Sequence, residues 1–476
     1  MKTKPLPIIK PSDAKSWSLC ARRVWLDNKA GLGLTKVENA FEQLIIDRGI
    51  RHERRVLDQL SQSLECRTAK SPEHTNELIA KRIPVIYQAQ LNDEKNGIIG
   101  NPDFLILHES GEYQAADAKL SLNGAKKEIR AQLGLYRRML GNGLPAIAFL
   151  GNGEEYLVED SDDSVAEQFL ADMRRILSSD EEPFVRYSHS KCSACPYCDY
   201  CKPKFEAAED PSLLYGLNAK AALGLEKEGI GTISQLASSD PKNIPDIPHL
   251  KGFKKKQRAV LQAKAHLSGD SYQLRSITLP AGQWVHFDIE DNPLTDDGEK
   301  HVYLWGFLLP EGNKFEFVWT DNEEQDKQGW LEFLKRVDLY RSRYPNLNLA
   351  HYSHHEKTTI QKYAQRYEME DQPTVSYLLG DQSPLFDLQK PILDALVLPL
   401  QGYGLKDICK HPNLVNYQWR DEDSGSQWSV VQFHRYLEET NIARRNQLKA
   451  DILSYNQDDV TATHHLEQWL RKHYSA

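Results

Sequence analysis

Gly97-Ile-Ile-Gly-Asn-Pro-Asp103-Phe-Leu-Ile-Leu107 runs through His108 and Glu109-Ser-Gly-Glu112 into Tyr113-Gln-Ala-Ala-Asp117-Ala-Lys119. Two apolar runs on either side of a Gly-containing turn predict a β-hairpin. Side chains repeat every second residue along a strand, so Asp117 and Lys119 share a face. Asp103 stands at the mouth of the neighbouring strand. Two carboxylates beside an ammonium suit metal-assisted phosphodiester hydrolysis: the acids hold a hard divalent cation and the lysine orients or helps deprotonate a water. Asp-x-Lys taken alone is more often an exposed strand pair.

Pro102-Asp103, thirteen residues, then Asp117-Ala118-Lys119 resembles the PD-(D/E)XK nuclease signature, and the flanks resemble its RecB-like branch. Upstream, Arg48-Gly-Ile-Arg-His52-Glu53 is similar to the helix that supplies an extra histidine ligand. Downstream, Gln132-Leu-Gly-Leu-Tyr136 matches the Gln-x-x-x-Tyr helix, whose i and i+4 residues share one face. The resemblance implies that His52, Asp103, Asp117 and the Ala118 carbonyl hold Mg²⁺ or Mn²⁺. Lys119 would act on the water, and Gln132 and Tyr136 would approach nucleic acid.

Cys192, Cys195, Cys198 and Cys201 crowd into ten residues, with Cys20 far upstream. Thiolates at this spacing can hold one ion or cluster, and a distant fifth joins only if the chain folds back. Cys20 with Cys192, Cys195 and Cys201 resembles the iron-sulfur clasp of CRISPR-associated and AddB-type RecB-like nucleases, which implies a [4Fe-4S] cluster with Cys198 spare. Four-cysteine zinc without Cys20 is the alternative. Cys66 and Cys409 have no cysteine neighbours and read as plain thiols.

A second acidic constellation occupies the C-terminal region. Trp284-Val-His-Phe-Asp288-Ile-Glu290 is an apolar strand with two acids on one face, and Tyr455-Asn-Gln-Asp-Asp459 sets a tyrosine and an acid one helical turn apart. Asp-x-Glu followed by a late Tyr-x-x-x-Asp resembles the DEDDy exonucleases of the ribonuclease-H-like fold. Their acids share two metal ions about 3.5–4 Å apart while the tyrosine positions water. By that resemblance Asp288, Glu290, Glu356 and Asp459 are metal ligands and Tyr455 is catalytic. Glu356 stands where an aspartate is usual. Asp387 and Tyr403-Gly-Leu-Lys406 fit the YprB-type subgroup, with a capped helix and an ordinary loop as the plain reading.

Between these regions, Leu223 to Ala237 reads as helix, Gly-containing turn and helix, followed by the basic run Lys254-Lys255-Lys256-Gln-Arg258. It resembles a helix-hairpin-helix module and reads equally as a helical linker. The expected organisation is α/β: a restriction-endonuclease-like RecB nuclease domain with the iron-sulfur clasp (1–205), a helical segment (206–270) and a ribonuclease-H-like domain (271–476).

The chain has 476 residues and a formal net charge of −9. That length predicts two or three domains. The negative balance does not exclude a nucleic-acid partner, because binding follows the local field. The acidic run from Glu154 to Asp163 accounts for part of it, while Lys126-Lys127, Arg130 and Arg137-Arg138 supply local positive charge. No apolar leader opens the chain and no run reaches the roughly 20 apolar residues needed to span a bilayer, so a cytoplasmic protein is expected. A Gly-x-x-x-x-Gly-Lys-Ser/Thr phosphate loop is absent, so a helicase motor would come from a partner. The expected function is a metal-dependent nuclease, an exodeoxyribonuclease acting on single-stranded DNA ends or flaps in repair, recombination or defence. RNA as substrate, a catalytically silent nucleic-acid-binding scaffold, and an iron-sulfur redox-sensing partner of a helicase are the alternatives.

Overall fold

The computed structural model describes residues 6–29, 40–295, 298–311, 314–420 and 427–475. The leader reading at residues 1–5 therefore lies outside them. The chain divides into two compact units, Met1–Val185 with Asp296–Gly298, and Arg186–Thr295 with Glu299–Ala476. The cysteine run, grouped above with the N-terminal domain, falls in the second unit, and Cys20 falls in the first. Among the described residues, no helix is long and apolar enough to cross a membrane.

The first unit opens with helices α1 (Ala14–Leu19), α2 (Ala21–Asn28) and α3 (Ala40–Ser61). Then follow β1 (Cys66–Thr68), α4 (Pro72–Ala80), β2 (Val85–Tyr87), β3 (Leu91–Asp93), β4 (Ile98–Gly100), β5 (Phe104–Leu107), β6 (Tyr113–Lys119), α5 (Lys127–Leu140), β7 (Ala146–Leu150), β8 (Glu155–Val158) and α6 (Asp163–Ser178). Its six-stranded sheet has the order β1-β2-β5-β6-β7-β8. β5 and β6 pair antiparallel as the hairpin pattern requires, and β6 pairs parallel with β7. Helix α5 buries Ile129, Leu133 and Tyr136 against Leu105, Ala115 and Ala148 of the sheet. Gly141 ends the helix in the left-handed region at φ 66°, a conformation glycine adopts at no steric cost.

The second unit begins with helices α7 (His189–Cys192), α8 (Cys198–Ala207), α9 (Ala219–Lys227), α10 (Ile233–Ser238) and α11 (Phe253–Ser268). Gly229, at φ 79°, turns the chain between α9 and α10, and the Thr232 hydroxyl accepts the Gln235 N–H at the start of α10. After β9 (Tyr272–Gln273) come β10 (Gln283–Asn292), β11 (His301–Leu308), β12 (Phe315–Trp319), α12 (Asp326–Arg343), β13 (Leu347–His351), α13 (His355–Arg366) and α14 (Pro373–Leu379). The chain ends with β14 (Leu385–Asp387), α15 (Gln389–Ala395), β15 (Leu396–Val397), α16 (Leu405–Cys409), α17 (Trp428–Glu438) and α18 (Ile442–Tyr474). A five-stranded sheet of order β12-β11-β10-β13-β14 has antiparallel pairs on one side of β10 and parallel pairs on the other.

Period-two alternation on the central strand β10 divides its residues between two layers. Val285, Phe287 and Ile289 enter an aromatic core with Trp305, Phe307, Trp330 and Phe333, in which the Trp305 and Phe333 rings stack 4.1 Å apart. His286, Asp288 and Glu290 project to the opposite face, toward α18.

Candidate active sites

In the first unit, the hairpin brings Asp103, Asp117 and Lys119 together. The Asp103 N–H donates to Asp117 Oδ1 at 2.9 Å, and the Ala118 N–H donates to Asp103 Oδ2 at 2.9 Å. Lys119 Nζ lies 2.9 Å from Asp117 Oδ2 and donates to Gln132 Oε1 at 3.0 Å. Gln132 in turn donates to Asp117 Oδ2 at 2.8 Å. Burial pushes the Asp103 carboxyl well above its ordinary range, and neighbouring Asp117 adds to the rise. Burial acts to lower the Lys119 ammonium, but Asp117 and Asp103 outweigh it and hold the pKa above its usual value.

The structure locates three groups singled out in the sequence. Tyr136 is 2% exposed, its ring lies where a Cβ on Gly100 would come within 2.7 Å, and its hydroxyl donates to the Asn101 carbonyl at 3.0 Å. It braces the loop before Asp103 from within and has no surface to offer a nucleic acid. His52 is buried on α3 with Nε2 2.9 Å from the Phe149 carbonyl oxygen. Among the described residues, His52, Asp103 and Asp117 do not form a set of three donor atoms within 4.8 Å of one another. Two members of the basic run are paired with acids: Arg130 with Asp162 at 2.5 Å, and Arg137 with Asp160 and with Asp163. Those acids belong to the run first read as acidic surface. Glu53, beside His52, raises Asp103 by its charge while accepting from the Tyr87 hydroxyl at 2.8 Å.

The second unit gathers Asp288, Glu290 and Asp459 so that one carboxylate oxygen from each lies within 4.8 Å of the others. Strand spacing places the first two, and α18 delivers the third with Asn456 one turn earlier. Asn456 Nδ2 donates to Asp288 Oδ2 at 2.8 Å and to Glu290 Oε1 at 3.3 Å. The Ser429 hydroxyl donates to Glu290 Oε2 at 2.5 Å, and Trp419 Nε1 to Asp459 Oδ1 at 2.7 Å. A Cβ on Gly306 would sit 1.7 Å from Asn456 Oδ1, so glycine is what admits Asn456 to the site. Asp458 holds the supporting segment in place by accepting from the Arg420 N–H at 3.0 Å and from Arg420 Nε at 2.9 Å.

Burial, with like charge from its neighbours, pushes Glu290 up to about 8. Burial also lifts Asp459 to about 6, against the opposing pull of Lys406, and raises Asp288 well above its ordinary value. Three acids held this close resist ionising together, which is the electrostatic condition a divalent cation relieves. The oxygen-only donor set fits a hard ion such as Mg²⁺ or Mn²⁺. Tyr455 hydrogen-bonds Asp459 and receives Lys406 Nζ at 3.2 Å. Burial raises the Tyr455 hydroxyl far above its usual range, as do the surrounding acids, so it remains a proton donor.

Residues 285–471 match the RNase_H superfamily model RNase_H_2. This region is a ribonuclease H-like domain. Ribonuclease H-like domains use divalent metals, in keeping with the carboxylate cluster at this domain's centre. A solved structure titled "Crystal structure of SSO0001" is 15% identical over 42% of this chain and 89% of that chain, with a TM-score of 0.23. No curated protein matches.

Glu356 of the ribonuclease H-like domain is 2% exposed at the start of α13, and its charge contributes to raising Asp288. Its Oε2 lies 3.2 Å from His351 Nδ1, and it stays outside the 4.8 Å grouping of the other three acids. Asp387 Oδ1 accepts from the Ser353 N–H and the Gln389 N–H, each at 2.9 Å, and so fixes the turn that leads to Glu356. The Tyr403 hydroxyl is buried and donates to Gln262 Oε1 at 3.1 Å, whereas Lys406 reaches the Tyr455 hydroxyl. Asn456, Ser429, Trp419 and Gly306 had no motif to announce them.

The cysteines occupy consecutive turns. The Cys195 N–H donates to the Cys192 carbonyl and the Cys198 N–H to the Cys195 carbonyl, each at 3.0 Å, and all four of Cys192, Cys195, Cys198 and Cys201 are half-buried. Cys20 caps α1 in the first unit and Cys409 is buried in α16.

Proposed function

We propose that the chain is a metal-dependent nuclease with two phosphodiesterase centres, acting on single-stranded DNA ends or flaps. The observation that carries the proposal is the convergence of Asp288, Glu290 and Asp459 within 4.8 Å inside a ribonuclease H-like domain. These acids, with Glu356 behind them, would hold Mg²⁺ or Mn²⁺, which when bound neutralises developing charge on a phosphodiester. Asn456, Ser429 and Trp419 fix the carboxylates, and Tyr455 presents its hydroxyl beside Asp459 to orient water. Lys406 supplies positive charge at the same edge.

The second proposed centre, in a RecB-like domain over residues 1–205, rests on the motif order and on the contacts among Asp103, Asp117, Lys119 and Gln132. His52 from α3 and the Ala118 carbonyl complete its proposed ligand set. A helical segment over 206–270 would join it to the exonuclease-type domain over 271–476. Cys192, Cys195 and Cys201, wound into successive turns, are the proposed donors to a [4Fe-4S] cluster, with Cys20 as fourth ligand on sequence resemblance alone. Visible absorbance of anaerobically purified protein that disappears in Cys20→Ala and Cys201→Ala supports the cluster, whereas a colourless wild type containing zinc replaces it. The setting is cytoplasmic DNA processing, with a helicase as partner.

End-labelled single-stranded DNA and RNA incubated with Mn²⁺ and anaerobically purified protein test the proposal. If Lys119→Ala and Asp288→Ala each remove a distinct product set and the double variant is inactive, both centres cut. Binding without cleavage in the wild type replaces the enzyme by a nucleic-acid-binding scaffold.

A further inference from the structure

Next to the carboxylate cluster on β10, His286 is 1% exposed, and neither ring nitrogen has a hydrogen-bond partner among the described residues. Buried polar groups are nearly always hydrogen-bonded, so two unused imidazole nitrogens call for a ligand. The His464 ring stands edge-on to the His286 ring at 4.9 Å between centroids. Glu467 Oε2 lies 3.9 Å from His286 Nε2. One donor atom from each of His286, His464 and Glu467 falls within 4.8 Å of the other two. All three line a cavity of about 250 Å³, together with Trp284, Pro310 and Arg471.

We propose that His286, His464 and Glu467 form a site for a divalent transition-metal ion of the zinc class, separate from the oxygen-only centre. Two imidazoles and one carboxylate are a zinc donor set that leaves a coordination position open, here toward the cavity. Ligand softness separates the two sites: imidazole selects zinc, nickel or copper, whereas an all-carboxylate cluster suits magnesium or manganese. His464 and Glu467, three apart, share a face of α18. A neighbouring group already orients the carboxylate. Arg471 holds Glu467 Oε1, leaving Oε2 toward His286. An ion here ties α18 to β10 eight residues beyond Asp459, on the same helix and strand that carry Asp459, Asp288 and Glu290.

Equilibrium dialysis of the full chain against Zn²⁺ with excess Mg²⁺, read by elemental analysis, tests the site. The wild type should retain one molar equivalent more than His464→Ala and than the near-isosteric Glu467→Gln. Asp288→Asn and Cys192→Ala should keep that equivalent. Cobalt bound in its place should give visible bands that vanish in the same two variants, with circular dichroism unchanged. Equal zinc content in wild type, His464→Ala and Glu467→Gln overturns the proposal, as does loss of the equivalent in Asp288→Asn.

Discussion

Glutamine at position 290 should make the metal-free protein more stable at neutral pH than the wild type. Glu290 is held up at about 8 against an ordinary 4.5, chiefly by burial and then by Asp459. A buried acid whose folded form keeps its proton while the unfolded form has released it lowers stability as pH rises, here between about 4.5 and 8. At 1.36 kcal/mol per pH unit, keeping the Glu290 proton at pH 7, when the unfolded chain has released it, costs about 3 kcal/mol of stability. Glu290→Gln removes the titrating carboxyl while keeping the side-chain length that meets Ser429 and Asn456. Thermal melts in chelator from pH 5 to 8 should show the wild type losing stability with pH and the variant losing much less. At about 2–4 °C per kcal/mol for a domain of this size, the gap at pH 7 is about 6–12 °C. Mn²⁺ should raise the wild-type midpoint more at pH 8 than at pH 5.5, and raise the variant less at either. Parallel melting curves for both proteins across this range would refute the crowded-carboxylate reasoning.

Gly306→Ala should displace Asn456, because the new Cβ would sit 1.7 Å from its Oδ1; an overpacking cost of about 1–3 kcal/mol and weaker Mn²⁺ binding are expected by melting and calorimetry. Tyr455→Phe removes the hydroxyl between Lys406 and Asp459 while leaving the acids in place. Cleavage assigned to the ribonuclease H-like domain should fall about 10²-fold or more with Mn²⁺ affinity intact, and unchanged rates would remove Tyr455 from the chemistry. Gln132→Ala takes a shared partner from Lys119 and Asp117, so a loss of about 1–3 kcal/mol in chemical denaturation is expected, with product sets changed as in Lys119→Ala.

The parts of the fold legible in the sequence are those governed by short periods. Alternation in Trp284–Glu290 places two acids on one face, and helical spacing places Tyr455 and Asp459 together. The hairpin around Asp103 and Asp117 follows from its turn. What stayed hidden depends on contacts between distant segments. Ser429 meets Glu290 from 139 residues away and Asn456 meets Asp288 from 168, and nothing local marks either. Tyr136 and Arg137 misled for a related reason: spacing tells which side chains share a face, but the loop before Asp103 and the acids at 160 and 163 decide what covers them. His286 carries no sequence signal of its own, because the groups nearest its ring, His464 and Glu467, lie on a helix far later in the chain.

A crystal of the protein soaked in Mn²⁺ and measured at the manganese absorption edge gives the most direct test of the central claim. An anomalous peak among the Asp288, Glu290 and Asp459 carboxylates, lost in Asp288→Asn, is the predicted result. A fully soaked crystal with manganese bound elsewhere and none between these carboxylates would contradict a metal-dependent centre in this domain.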